Sequence, residues 1–179
     1  ACAAADFMSI NRDKFDVVAM AGNSMGWYIT LALSGALDQA GGFQLVNTMG
    51  SMMKKEIVGG QVIYPVVDEN WVHQPQREKE IHQIIEKIQA RPGHEVYLSI
   101  RLGGYIVWGG NHEGLSALLK ELPQIENYPF QLINHAAFHT PMLNETSEKA
   151  FSLIPENLFH RPKVPMIDGR GVIWGTHTT

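Results

Sequence analysis

Apolar and polar positions along this chain fall into blocks whose period changes several times. Residues 1–10 are Ala-rich and read as the interior of a helix that starts before the sequence does. Residues 11–14 form a polar turn. The run FDVVAMA at 15–21 is short, apolar and bounded by turn residues, which predicts a buried strand. A tight turn at 22–26 leads into an apolar helix over 27–37. A second helix is expected over 40–55, broken by Gly41, Gly42 and Gly50. From 57 onward the pattern sharpens. Residues 62–67 read as a strand. Ile81, Ile84, Ile85 and Ile88 recur at i, i+3, i+4, i+7, one face of an amphipathic helix over 77–90 that Arg91-Pro92-Gly93 stops. Residues 95–100 and 105–108 are strands joined through Leu102-Gly103-Gly104, a hairpin signal. Leu115, Leu118, Leu119 and Leu122 mark another helix, ended by Pro123, and 130–134 is again a strand. The order β-α-β-β-α-β is the split-βαβ, ferredoxin-like pattern. It predicts a small subdomain over 57–134, inserted into a chain that is α/β on both sides. Thr140 as N-cap and Pro141 at the first helical position predict a helix start. Residues 163–167 are a last strand-like run, after which the chain stops without a closing element.

Composition narrows the partners. With 14 Lys+Arg against 18 Asp+Glu among 179 residues the formal net charge is −4, and the absence of a basic cluster argues against nucleic acid. No apolar run approaches the ~18 residues a membrane helix needs. The single Cys2 excludes an internal disulfide framework and any multi-cysteine metal site, which fits a reducing, cytoplasmic location. Residue 1 is not Met and the first ten residues lack the design of a secretory signal. Together the two ends read as those of a fragment.

Gly22-Asn23-Ser24-Met25-Gly26 is a G-x-S-x-G motif with an apolar run entering and an apolar helix leaving, the context of a nucleophile elbow. Glycines allow the sharp turn, the turn lifts the Ser24 hydroxyl into the open, and the helix starting at Met25 aims free backbone N–H groups at any oxyanion formed there. The plainer reading is a Gly-rich turn that binds a phosphate or nothing.

A serine needs a base. Of eight histidines, His82 lies among charged residues on a helix, and His73, His94, His112, His160 and His177 lie in loops or near the end. His135 and His139 are four apart without the glutamate of a zinc motif, so no metal site is expected. His139 sits between a strand and a helix start, where the helix dipole disfavours imidazolium and leaves the neutral ring that a general base needs. The competing role for it is a capping or core histidine.

These residues resemble a known family. AGNSMGWYITLALSGAL is similar to the GHSLGEYxAL segment of the malonyl-CoA:acyl-carrier-protein transacylases, which include the acyltransferase domains of fatty-acid and polyketide synthases. NHAAFHTPML is similar to that family's GAFHSPLM, and YIVWGGNHEGLSALLKEL to its QVVISG hairpin and following helix. The resemblance covers nearly the whole chain. It implies an α/β-hydrolase-like core, incomplete here, over 1–56 and 135–179, carrying the ferredoxin-like subdomain over 57–134. It also implies a Ser24–His139 dyad that takes an acyl group from a coenzyme A thioester and passes it to an acyl carrier protein. The Met25 N–H would be one oxyanion donor, and no cofactor is required. The family's second donor, a glutamine in a GQGSQ-like segment, is not in this sequence, and other synthase domains or subunits are possible partners.

Three departures from the family bear on substrate. Malonyl-using members carry an arginine in the helix after the elbow, and here that position is Met49, in QLVNTMGSMM. A malonyl carboxylate without a cation is costly to bury, so uncharged acyl groups are expected. Arg101 is the one candidate to replace the charge, though an exposed strand arginine is the plainer reading. Asn23 stands for the motif's usual His and Trp27 for its usual Glu. Trp27 either narrows the pocket or packs on the next helix. The alternatives to acyl transfer are a thioester hydrolase of the same family and a non-catalytic acyltransferase-like module. A generic α/β-hydrolase esterase fits the inserted subdomain poorly.

Overall fold

The computed structural model describes residues 2–52 and 57–178. The chain forms two compact units, Ala1–Met52 with Lys149–Thr179, and Met53–Glu148.

The second unit is built on strands β2 (Gly60–Pro65), β3 (Val96–Leu102), β4 (Tyr105–Gly110) and β5 (Phe130–Leu132), with helices α4 (Pro75–Gln89) and α5 (His112–Glu121). Its chain order is β-α-β-β-α-β. The sheet order is β3-β4-β2-β5, and every neighbouring pair is antiparallel. The expected isoleucine stripe is the buried face of α4: Ile81, Ile85 and Ile88 pack with Leu115 and Leu118 of α5 on Val62, Tyr64 and Ile106. Each such side chain contributes roughly 1.5–3 kcal/mol by leaving water. β2 is central and buried on both faces, so it reads as a continuous apolar run. The Tyr64 hydroxyl donates to the Pro123 carbonyl at 2.5 Å. Asn111 caps α5: its Oδ1 accepts from the Gly114 and Glu95 N–H groups, and its Nδ2 donates to the Gly93 carbonyl. The β3–β4 turn is two residues, with Gly103 at φ +61°.

The first unit holds α1 (Cys2–Met8), β1 (Met20–Ala21), α2 (Met25–Leu33), α3 (Gln39–Met52), β6 (Met166–Ile167) and β7 (Ile173–Trp174). β1 runs parallel to β6, and β6 pairs antiparallel with β7. Three expectations change here. The strand expected over 15–21 is only Met20–Ala21, and Phe15 and Val18 are 63% and 78% exposed. Among the described residues β1 has a strand on one side only, so the run pairs over two residues and is not buried. The glycines of 40–55 do not break the helix: α3 is continuous over Gln39–Met52, and residues 53–55 of that expected helix lie outside the described ones. A Cβ on Gly42 would stand 3.0 Å from the Ala32 Cβ, so the missing side chain lets α3 approach α2. The last strand is followed by a closing one after all. Asp168 builds that turn: Oδ1 accepts from the N–H groups of Arg170 and Val172, and Oδ2 from the Arg170 guanidinium and the Trp174 indole. These donors hold the Asp168 carboxyl well below the usual carboxylate range.

α6 (Asn144–Leu153) contains the boundary between the units, which falls at 148/149. Residues 135–148 cluster with the second unit, whereas the sequence pattern ended the inserted subdomain at 134. No helix among the described residues is long and apolar enough to cross a membrane.

Candidate active site

Ser24 is the N-cap of α2 and has φ +54°, ψ −120°. A non-glycine residue at positive φ is costly, and strand-to-helix elbows place their nucleophile in such a strained turn. The turn around it is closed by two bonds, Gly26 N–H to the Asn23 carbonyl and Trp27 N–H to the Ser24 carbonyl, each 2.9 Å. The Gly26 and Trp27 donors are therefore spent. Met25 opens the helix, where geometry gives its N–H no intrahelical carbonyl, so it is the first-turn donor suited to an oxyanion. Ser24, Asn23 and Met25 are exposed, and Trp27 is half-buried on α2.

The two motif glycines are not equivalent. A Cβ on Gly22 would lie 2.1 Å from the Gly26 carbonyl oxygen and 2.5 Å from Thr30 Oγ1, whereas one on Gly26 would meet nothing within 4 Å. The Gly22 clash is with backbone, so no side-chain rotation relieves it. Gly22→Ala is expected to destabilise the first unit by about 1–3 kcal/mol or more. Gly26→Ala is expected to leave the melting temperature near wild type. Thermal melts of the two variants side by side check this, and equal melting temperatures would contradict it.

His139 lies in the second unit, between β5 and a 3-10 turn over Pro141–Leu143. Thr140 and Pro141 do start a helical segment, but as that short turn before α6. The Thr140 hydroxyl does not cap it; it donates to the Ala137 carbonyl at 2.6 Å. His139 has φ +58° and its side chain is exposed by area, yet the surrounding protein desolvates the ring enough to pull its pKa below the ordinary histidine value. Desolvation therefore favours the neutral imidazole, where a helix dipole was expected to. The loop is held by Ala137 N–H to the Val58 carbonyl and by bonds to the Phe138 carbonyl from Ser99 and Gln61.

Met49 is half-buried on α3. Arg101 is on β3 and is engaged: its Nη1 reaches Glu78 Oε1 at 2.5 Å. Glu78 also takes His73 at 2.7 Å and His82 at 3.5 Å. These partners, Arg101 foremost, lower the Glu78 pKa to about 2. His82 is thus not simply solvated; its ring also meets the Trp108 indole edge-on, centroids 5.5 Å apart. His135 bonds Gln61 Oε1 through Nδ1 at 2.9 Å. Among the described residues no cluster of His, Cys, Asp or Glu could hold a metal ion.

No protein-family profile matches the sequence, and no curated protein does. Solved structures do. The malonyl-CoA:ACP transacylase of Synechocystis superposes with TM-score 0.68 at 24% identity, covering 91% of this chain and 50% of that one. An acyltransferase domain of an iterative polyketide synthase in enediyne biosynthesis gives TM-score 0.68 at 18% identity, covering 97% and 43%. The malonyl CoA-acyl carrier protein transacylase of Coxiella burnetii gives 0.64 at 24%, covering 86% and 46%.

The chain has the acyltransferase fold.

It spans about half the length of these solved structures. Two polar residues beside His139 escaped sequence reasoning. Gln61 sits at the start of an otherwise apolar strand, GQVIYP, and that lone amide in an apolar run was the available signal. Ser99 sits where β3 slips register, between Leu98 opposite Trp108 and Ile100 opposite Val107. A bulge of this kind depends on the partner strand and leaves no mark in the sequence.

Proposed function

We propose that this chain carries the acyl-serine chemistry of an acyltransferase. Ser24 Oγ attacks the carbonyl of an acyl-CoA thioester while the His139 imidazole takes its proton. The Met25 N–H stabilises the tetrahedral oxyanion. The C–S bond then breaks, and coenzyme A leaves as its thiol with the proton returned by His139. The phosphopantetheine thiol of an acyl carrier protein attacks the acyl-serine ester in turn, releasing Ser24 and completing the transfer. The observation that carries this reading is the strained Ser24 at a strand-to-helix elbow in a chain with the acyltransferase fold. In this reading the first unit is an α/β-hydrolase-like core and the second a ferredoxin-like subdomain. The protein works in the cytoplasm without metal or cofactor, on acyl-CoA and acyl carrier protein, alone or beside other synthase domains.

The acyl group we propose is uncharged. Met49 offers a flexible thioether and no donor, Asn23 and Trp27 flank the nucleophile without adding a cation, and the Arg101 guanidinium is already paired with Glu78. Losing a charge-assisted bidentate contact to a carboxylate is worth about 2–4 kcal/mol, or about 30- to 1000-fold in selectivity. Acetyl-CoA should therefore acylate Ser24 with the higher kcat/KM than malonyl-CoA by a factor in that range, and Met49→Arg should move the ratio back toward malonyl. Competition between the two thioesters, read by intact-protein mass spectrometry, measures the ratio. A malonyl preference in the unsubstituted protein would contradict the substrate assignment while leaving the acyl-serine chemistry standing. Release of free acid with carrier protein present would make the protein a hydrolase instead.

A further inference from the structure

The backbone at His139 needs an external hold. Its φ of +58° is a conformation that non-glycine residues keep only where their surroundings over-determine it. The peptide that enters His139 begins with the Phe138 carbonyl, and that oxygen accepts two hydrogen bonds, from Ser99 Oγ at 2.7 Å and from Gln61 Nε2 at 3.2 Å. Gln61 Nε2 also donates to Ser99 Oγ at 2.7 Å, and Gln61 Oε1 meets His135 Nδ1 at 2.9 Å. Gln61 is 2% exposed, on a strand paired on both edges, to Gly109 of β4 and Leu132 of β5. Its amide is shut away from water, and leaving it unpaired would be costly. The groups its amide bonds lie on Ser99 and the 135–138 segment.

Ser99 supplies an independent observation. The register of β3 on β4 slips at this residue, which makes it the extra residue of a bulge. A bulge interrupts the two-residue alternation and re-aims a side chain. The re-aimed hydroxyl here ends on the Phe138 carbonyl. A plain strand would point that position by alternation alone.

We propose that Gln61 and Ser99 are positioning residues that hold the His139 imidazole in place by fixing the peptide between Phe138 and His139. Rotation of that peptide plane would change ψ of Phe138 and φ of His139 together, and two donors on one carbonyl oppose it. The proposal rests on His139 being the general base. Neither residue touches the reacting atoms.

The test uses Ser99→Val, Ser99→Thr and Gln61→Leu in the full chain, with circular dichroism and thermal melts to establish folding. Val and Thr are nearly the same size, and only Thr keeps the hydroxyl. Misplacing a catalytic group by about 1 Å costs up to about 100-fold, so Ser99→Val and Gln61→Leu should lower kcat for Ser24 acylation by roughly 10- to 100-fold with KM for the thioester unchanged. Ser99→Thr should restore the rate. A folded Ser99→Val protein with wild-type kcat, or a Ser99→Thr as slow as Ser99→Val, would overturn the proposal. Nitrogen NMR of the His139 ring gives a readout that needs no turnover. If the unsubstituted protein forms no acyl-serine, the functional reading fails, and the ring signals still decide the positioning. Signals displaced in Ser99→Val and returned in Ser99→Thr support it; signals identical in all variants overturn it. Should Gln61→Leu not fold, the Ser99 pair decides alone.

Discussion

His139→Ala is expected to slow acylation of Ser24 by about 10²–10⁴-fold, the usual cost of removing a general base, with the fold retained. Retention follows from the position: His139 is exposed by area and lies in a loop outside the apolar core of its unit. Because φ there is +58°, His139→Asn is the better-tolerated control, since asparagine enters the left-handed region more readily than alanine. The pH dependence has a definite sign. Only the neutral imidazole accepts the serine proton, so the rate rises with pH and levels off once the ring has lost its own proton. Desolvation lowers the His139 pKa from 6.5, so the midpoint should fall below that of an ordinary histidine. In His139→Asn that limb should vanish. A wild-type rate in His139→Ala together with a slow His135→Ala would transfer the role to His135, whose Nδ1 is bonded to Gln61.

Much of the second unit was legible in the sequence because its helices are strongly periodic. The Ile81–Ile85–Ile88 and Leu115–Leu118 stripes can bury only one face, and the two-glycine hairpin at Gly103-Gly104 leaves little choice of register. The elbow was legible for a different reason: a G-x-S-x-G between an apolar run and an apolar helix has few structural solutions. What it did not reveal is that the steric demand sits on Gly22 and not on Gly26. The first unit read less well. An apolar run such as 15–21 looks the same whether neighbours cover it or not, and here pairing covers only Met20 and Ala21. The glycines of α3 lower helix propensity by about 1 kcal/mol each, and the approach of α3 to Ala32 that Gly42 permits favours the helix against that cost. Around His139, sequence position suggested a dipole effect, whereas a three-residue 3-10 turn follows it and desolvation by the surrounding protein sets the ring's preference. The Gln61–Ser99 pair links β2, β3 and the 138 carbonyl, contacts 38 to 77 residues apart in the chain that no local pattern encodes.

Ser24→Ala is expected to abolish acyl-enzyme formation altogether. Ser24 is exposed at the N-cap of α2, its backbone is held in the strained elbow conformation, and the neighbouring Met25 N–H stands at the helix start. Alanine keeps the turn's size but has no oxygen to carry the acyl group, so the loss is complete where the His139 effect is partial. Cys2, exposed in α1, is the one thiol in the chain and the obvious site of a non-enzymatic adduct. The decisive measurement is intact-protein mass spectrometry after incubation with acetyl-CoA, followed by peptide mapping. The account predicts an acetyl adduct on the peptide containing Ser24 that is absent from Ser24→Ala; an adduct of equal yield in Ser24→Ala, mapped to any other residue, would contradict it.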